Sequence, residues 1–575
     1  MRKLPLAWLL AAALIAFGVG SRISQLGASP LSPPEAASAL GAVFGTDQAS
    51  PFWQGALSAA PTATSYLISS RMAMTWFGAT KSTARAVPAL AGIGLLLLPL
   101  LLVRRWGWLR VLLTITLLLI SPTVSTLSRT AGSTVLAALG LVLVLVAMVR
   151  ARGEGAPSSG LIAVGLAIGA ASGAPFWMGV FGLLLAGLLA LALERGRQLT
   201  LPVSRRFSVG LLGAAGLLLA GGTLLGADWS ALAGTISGPG EWLRGWAGGG
   251  YPWTTALAMV PIYEPLALLG AAVGTVRAIR ADRIGSPAAY WAMGAVLAYL
   301  LYPGRTPADL IWFVLPAAAL TASWILDLVE QWRRLEQAYP ATLLALVILT
   351  ILVFAAFNWQ STKAGFGLGA QDYSVQLGFV ISAVGFSLAL VLLFGIGWSW
   401  RETGLAAAAV IAFGLAATTL SSAWGLTLGQ SDSRVDLWRP QTSTANLQLL
   451  EKTVQSIANA HVGRAGGLPI GTTDPLPANL AWALRQQQPA LLGSQADPPP
   501  VVIATVAAGE PALPADYLGQ AFGITQSWDW VGALPPSFDR WLSGRRAPTR
   551  LETWVLYVRT DVAGLEGDLI DGVQQ

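Results

Sequence analysis

The chemistry open to this chain is narrowed by what it lacks. It contains no cysteine and one histidine, His461, so disulfides, thiolate metal sites and histidine clusters are excluded. What remains are a few carboxylates and arginines in a largely apolar chain. Glu35 follows the pair Pro33-Pro34 and opens a run of small residues that reads as a short helix. Proline in the first turn and an acidic residue just behind it suit a helix N-terminus, where the macrodipole favours negative charge. Asp47, in Gly45-Thr46-Asp47-Gln48, has the setting of a turn or cap residue. Glu264, in Tyr263-Glu264-Pro265, falls midway along an apolar stretch. A carboxylate at membrane depth is costly and faces a cavity or a partner. Asp309 and Asp327 sit near opposite ends of one apolar stretch, Asp327 as a charge at the inner surface. Arg129 and Arg305 come at the ends of apolar stretches, and Arg71 and Arg85 both precede the one that begins near residue 86. A guanidinium there either reaches out to the membrane interface or offers a planar fork that matches a phosphate.

The elements that must position these groups are membrane helices. Hydrophobic residues make up 54% of the chain and charged residues 11%, against about 25% charged in an ordinary soluble domain. Apolar stretches near the length of a span, about 20 residues, recur at 5–21, 86–103, 109–125, 131–149, 160–174, 176–193, 208–226, 254–276, 286–303, 308–329, 340–357, 376–399 and 404–426. The expected fold class is mainly α, a polytopic transmembrane bundle of about 13 spans. With the N-terminus inside, the inner connections collect Arg2, Lys3, Arg104, Arg105, Arg110, Arg150, Arg152 and most later arginines. The short outer ones keep Arg129, Arg244, Arg305 and Lys363. That asymmetry is the positive-inside pattern, and it gives the net charge of +7 a membrane explanation with no nucleic acid partner. Met1-Arg2-Lys3 before an apolar core also has the form of a cleaved signal; the reading taken here is a first span.

After Trp424 the composition turns soluble, with Pro-rich breaks at Pro498-Pro499-Pro500 and Pro535-Pro536. Leu447, Leu450, Val454 and Ile457 recur at helical spacing, whereas 500–506 and 553–558 have strand composition. Two regions are therefore expected: 1–429 in the membrane, with a large first outer loop at 21–85, and 430–575 as a soluble α/β domain outside the cytoplasm. Of the 24 tryptophans, many fall at span ends as an interface belt. Trp528, Trp530 and Trp541 lie in the soluble region, as core or as a carbohydrate platform.

Short motifs carry a resemblance. Pro34-Glu35-Ala36, then Pro61 to Tyr66, then Phe77-Gly78-Ala79-Thr80, then Arg85-Ala86-Val87-Pro88-Ala89-Leu90-Ala91-Gly92 follow the first-loop order of the GT-C glycosyltransferases of family 39. That group includes the protein O-mannosyltransferases. Ile120-Ser121-Pro122 with Ser128-Arg129, Tyr302-Pro303-Gly304-Arg305-Thr306-Pro307 and Trp482-Ala483-Leu484-Arg485 resemble the prokaryotic flippase-activity-associated subgroup. The resemblance implies a plasma-membrane enzyme that moves a sugar from a polyprenyl-phosphate donor to a protein or glycan acceptor at the outer face. No cofactor is expected from the sequence, and a divalent metal finds no support in it. Glu35 would be the base, with Asp47 as the weaker candidate. Arg129, Arg305 and Arg85 would hold the lipid phosphate, and Glu264 would be a donor-site carboxylate. The family's usual catalytic Asp is Pro34 here, which has no proton-accepting side chain. The alternative is accordingly a catalytically silent relative, a scaffold beside membrane partners in glycan assembly.

Overall fold

The computed structural model describes residues 4–45, 63–154, 159–193, 205–222, 230–280, 287–363, 370–427, 435–492, 498–506, 513, 515–530, 532, 534–536, 538, 541 and 547–562. Everything below concerns those residues. Asp47 and the stretch around Pro61 lie outside them.

The chain is a polytopic helical bundle followed by a sheet. Seven helices are long and apolar enough to cross a membrane: Lys81–Trp106, Thr134–Ala151, Ala174–Leu193, Pro307–Arg333, Ala338–Asn358, Leu377–Gly397 and Trp400–Thr427. The pair Trp253–Tyr263 and Pro265–Arg277 is long and apolar enough only when taken together, bent by 93° at the break, and makes an eighth span if the two count as one. Shorter apolar helices at Trp8–Ile23, Trp108–Ile120, Ser159–Ala170, Ser208–Ala220 and Pro287–Leu301 occupy the remaining five expected stretches. Each of the thirteen apolar runs is thus helical over most of its described residues. Helices in lipid satisfy their own backbone polar groups, which is why apolar runs of this length take this form.

Small residues let the helices meet. A Cβ on Gly140 would lie 2.6 Å from the Gly165 carbonyl oxygen, and one on Gly294 would lie 2.4 Å from that of Gly182. Backbone meets backbone at both crossings, the mode by which membrane helices associate without a hydrophobic driving force.

Two helices lie in the first loop. Pro33–Phe44 starts at the N-cap Ser32, whose side chain forms a capping box with Glu35, and stops at Gly45 with φ 73°. Its residues Glu35 to Ala42 are buried. Thr64–Phe77 ends at Gly78, and Thr80 then caps Lys81–Trp106 by accepting the Thr83 N–H. The buried Tyr66 donates to the Ala84 carbonyl at 2.9 Å, binding the second loop helix to that span.

The soluble region folds as a six-stranded mixed sheet: β1 (Gln441–Ser443), β2 (Pro469–Thr472), β3 (Gln488–Leu491), β4 (Val501–Thr505), β5 (Tyr517–Trp528) and β6 (Thr549–Arg559), in the order β1-β5-β6-β4-β2-β3. β2 is parallel to β3 and β4, and the other pairs are antiparallel. Central β4 buries Val501, Val502, Ile503 and Ala504 completely or nearly so, as a strand covered on both faces requires. Helix Ala445–Val462 buries Leu447, Leu450, Val454 and Ala458, with Ile457 only half-buried.

The sheet region is fastened to the first loop. Ser443 donates to the Leu31 carbonyl at 2.6 Å, Gln448 to that of Ala28 at 3.2 Å, and Arg485 to that of Ala79 at 2.7 Å. Glu451 bridges Lys81 at 3.7 Å and Arg485 at 3.4 Å.

Candidate functional site

The first loop, the turn after residue 127 and the start of the sheet region meet around Glu35. Its carboxylate is 6% exposed and accepts from five donors. Arg85 supplies Nε at 2.8 Å to one oxygen and Nη2 at 2.9 Å to the other. The Ala131 N–H adds 3.0 Å, and Ser32 adds its N–H and its hydroxyl, both at 3.0 Å. Burial by itself would raise the Glu35 pKa; the adjacent Arg85 charge and these hydrogen bonds outweigh it and hold it near 2. A carboxylate so committed is a poor proton acceptor near neutral pH. Arg85 is equally engaged, with Nη1 donating to the carbonyls of Leu26 and Ser29 and Nη2 to that of Pro30. The pair ties the loop before Pro33–Phe44 to the start of a span and to the turn carrying Arg129.

Other arginines around this pair are not so matched. Arg22, at the end of the first helix, is 1% exposed. Its Nη1 donates to the Gly18 carbonyl at 3.3 Å, while Nε and Nη2 are buried without a partner. A buried polar group left so is costly. Gly92 makes room for it: a Cβ there would meet Ser128 Oγ at 2.0 Å and Arg22 Nε at 3.4 Å. Arg129 donates through Nη1 to the Ser21 carbonyl at 2.5 Å, one residue from Arg22. Burial, then the charges of Arg85 and Arg439, lower the Arg129 pKa to about 10. Arg439, just before β1, is likewise lowered by burial; Glu35 and Asp436 pull its pKa back up, and Arg85 opposes them.

Asp436 completes the group. Its carboxylate accepts the Leu437 N–H at 2.7 Å and the Tyr263 hydroxyl. Four arginines, Arg22, Arg85, Arg129 and Arg439, thus face two carboxylates, Glu35 and Asp436. The excess is two positive charges, the complement of a phosphate monoester dianion. Among the described residues no three metal-ligating side chains come together.

The remaining expected residues are engaged elsewhere. Arg305 donates to the carbonyls of Tyr299 at 2.9 Å, Tyr251 at 2.9 Å and Leu300 at 3.0 Å. It closes the C-terminal end of Pro287–Leu301 and clamps it to the segment before Trp253. Gly250 fits under the clamp because a Cβ would lie 2.6 Å from both the Pro303 and Arg305 oxygens. Glu264 sits at the break in its span, accepting the Ser121 hydroxyl at 2.6 Å and the Thr123 N–H at 3.0 Å. It caps the helix that starts at Pro122 and so satisfies backbone groups freed inside the membrane. Asp309 accepts from Thr306 in a capping box, and Asp327 pairs with Arg277 at 2.7 Å near the surface. Trp541 is fully buried against Phe538, which makes it core. Trp528 and Trp530 stack at 4.7 Å with Tyr251 edge-on to Trp528 at 5.7 Å, packing the sheet region onto the membrane loop.

Sequence reasoning singled out Glu35, Arg85 and Arg129 but missed that the first two neutralise each other. It also missed Arg22, Arg439 and Asp436. Nothing in spacing links Arg439 to Glu35 across some four hundred positions. Arg22 did carry a signal, a charge at the very end of an apolar run.

No family model matches the chain, and no curated protein matches its sequence. Its fold is similar to two solved structures of ArnT from Cupriavidus metallidurans. The one bound to undecaprenyl phosphate superposes with a TM-score of 0.57 at 14% identity, covering 88% of this chain and 95% of that one. The apo state gives 0.55 at 15% identity, covering 88% and 94%. The fold is therefore similar to that of ArnT through nearly the whole length of those structures.

Proposed function

We propose that this chain is a membrane glycosyltransferase that takes a polyprenyl-phosphate-linked sugar at the outer mouth of its bundle and transfers the sugar to an acceptor. The observation that carries it is the arginine group with its excess of two positive charges, including a buried Arg22 with two unpartnered nitrogens. The likeness to a fold that holds undecaprenyl phosphate in ArnT supports the lipid class. A polyprenyl-phosphate sugar is a phosphodiester with one negative charge. Transfer breaks the bond from the sugar's anomeric carbon to the phosphate oxygen and leaves a phosphate monoester with up to two charges. Arginines placed for a dianion favour the charge that develops on that leaving group over the charge of the bound donor, which is how electrostatic catalysis lowers a barrier.

The finer parts of this reading rest on sequence. The Pro34-Glu35-Ala36 and Arg85 to Gly92 segments support family-39-like chemistry, with a hexose passed to a protein or glycan. The positive-inside distribution supports a plasma-membrane protein with a cytoplasmic N-terminus and 430–575 outside, as its own domain. A reporter fused after Trp424 that works only in the cytoplasm would overturn that orientation. Glu35 is proposed as a structural anion and not the base; Asp436 is the other carboxylate among these arginines.

One observation favours the second reading, a catalytically silent relative that serves as a membrane scaffold or partner: the locked Glu35–Arg85 pair beside Pro34. The enzyme requires lipid-phosphate binding, so that is measured first. Purified protein should bind undecaprenyl phosphate, and Arg22→Ala or Arg129→Ala should each weaken it about 10- to 100-fold, as for loss of a charge-assisted contact. Unchanged affinity in both variants removes the proposal. Release of polyprenyl phosphate from sugar-loaded donors then separates the enzyme from the silent relative.

A further inference from the structure

The connection between the last membrane helix and the sheet is built more firmly than a linker needs. Val435, Asp436, Leu437 and Trp438 are all buried. Asp436 and Arg439 exchange backbone hydrogen bonds, Asp436 N–H to the Arg439 oxygen at 3.0 Å and Arg439 N–H to the Asp436 oxygen at 2.8 Å, closing a tight turn. The Asp436 carboxylate then holds the Leu437 N–H at 2.7 Å and the hydroxyl of Tyr263, beside the break in the bent span. Trp438 rests edge-on against the Tyr263 ring at 6.1 Å. On the far side Ser443 donates to Leu31, next to the Ser32 cap that holds Glu35. The turn is thus fixed to the bent span behind it and to the first loop ahead of it, and Arg439 leaves it between these anchors.

We infer that the segment 435–443 is a wall of the lipid-phosphate site, and that Arg439 is a phosphate-binding residue supplied to the membrane site by the sheet region. The inference rests on the phosphate reading above and adds to it that the site is incomplete without the C-terminal region. Electrostatics support the placement: Arg439 acts on Arg129, and its own ionisation responds to Glu35, Arg85, Asp436 and Tyr263. A guanidinium needed only to neutralise Glu35 would be redundant, because Arg85 already pairs bidentately with that carboxylate. Asp436 in the same turn offsets one further charge, and with Arg22 and Arg129 in the group two positive charges are left for an anion that the chain itself does not supply. The fastening of the sheet through Ser443, Gln448 and Arg485 to the first loop keeps that arm at a fixed distance from the other arginines.

The test uses full-length protein in detergent with undecaprenyl phosphate, undecaprenol and inorganic phosphate as separate probes. Arg439→Ala should weaken undecaprenyl phosphate binding about 10-fold or more, leave undecaprenol binding unchanged, and melt within a few degrees of wild type. Arg439→Lys should restore part of the affinity, since it returns the charge without the fork. Hydrogen exchange in the peptide spanning 435–443 of the unmodified protein should slow with undecaprenyl phosphate and not with undecaprenol; slowing by inorganic phosphate as well assigns the arm to the phosphate alone. If Arg129→Ala loses affinity while Arg439→Ala does not, and exchange in 435–443 is unmoved by ligand, this inference is wrong and the phosphate site stands without it. If neither variant loses affinity, the phosphate reading fails and takes the inference with it. Should Arg439→Ala fail to fold, the exchange measurement decides.

Discussion

Substitution Glu35→Gln separates a base from a structural anion more sharply than any other single change. An amide in place of the carboxylate keeps one acceptor oxygen. If that oxygen stays near Arg85 Nε and the Ala131 N–H, the new NH2 faces Arg85 Nη2 and the Ser32 N–H donor to donor, while the Ser32 hydroxyl can turn to accept from it. The other rotamer merely exchanges which donors are lost. Either way Arg85, 5% exposed, keeps its charge and loses its counter-ion. Removing one partner of a buried ion pair costs about 3–5 kcal/mol, so the melting temperature in detergent should fall on the order of 5–10 °C. Replacing both, Glu35→Leu with Arg85→Met, removes the stranded charge and should recover much of that loss. Loss of a general base would look different: turnover would drop about 10²- to 10⁴-fold with little change in melting. A Glu35→Gln protein that melts like wild type yet loses transfer would refute the reasoning and restore Glu35 as the base.

The same pair sets an acid limit. The Glu35 pKa of about 2 lies below its ordinary 4.5, so the unfolded chain binds the extra proton across that interval. Its stabilisation, about 3 kcal/mol, is fully present above about pH 4.5 and is lost as pH falls towards 2; melting of wild type against Glu35→Gln over that range checks it, the difference shrinking with acid. Glu264→Gln keeps an acceptor for Ser121 and Thr123, so its melting should change little, whereas Glu264→Ala leaves both donors unmet and costs about 1–3 kcal/mol. Lipid affinity that falls in Glu264→Gln at constant melting would instead make Glu264 a donor-site carboxylate. Arg305→Ala should lower the melting temperature by several degrees without changing the affinity for undecaprenyl phosphate per folded molecule, since its donors serve the carbonyls of Tyr299, Tyr251 and Leu300. A selective loss of affinity in that variant would return Arg305 to the phosphate site.

The bundle was legible because lipid leaves little choice. A run such as 340–357 has no hydrogen-bond partner outside itself and must be helical, and each apolar run is helical over most of its described residues. The bend at Glu264 could not be seen the same way. Tyr263-Glu264-Pro265 reads as a polar interruption, and only the contact with Ser121 and Thr123, some 140 positions earlier, shows what the carboxylate satisfies. The sheet was legible in part. β4 and β6 announce themselves through branched and aromatic residues, whereas β5 contains Gly519 and Gly523, which pack closely against β6 and lower its strand signal.

At the site, residue type suggested the groups, while partner choice set their roles. Arginine at the end of an apolar run has the same sequence signature whether it meets headgroups, a carboxylate, backbone carbonyls or a ligand phosphate. Arg85, Arg305, Arg22 and Arg129 all carry that signature and part company only through contacts. Arg85 has its charge met by Glu35, and Arg305 has its donors taken up by three carbonyls. Arg22 and Arg129 find single carbonyls, each leaving a positive charge without a counter-ion close by. Holding the buried Arg22 beside the half-buried Arg129 is unfavourable, and the notch at Gly92 gives Arg22 the room for it. Under the proposed function, two like charges kept together at such a cost are the seat of the lipid phosphate, and that seat is a property of the folded contacts alone.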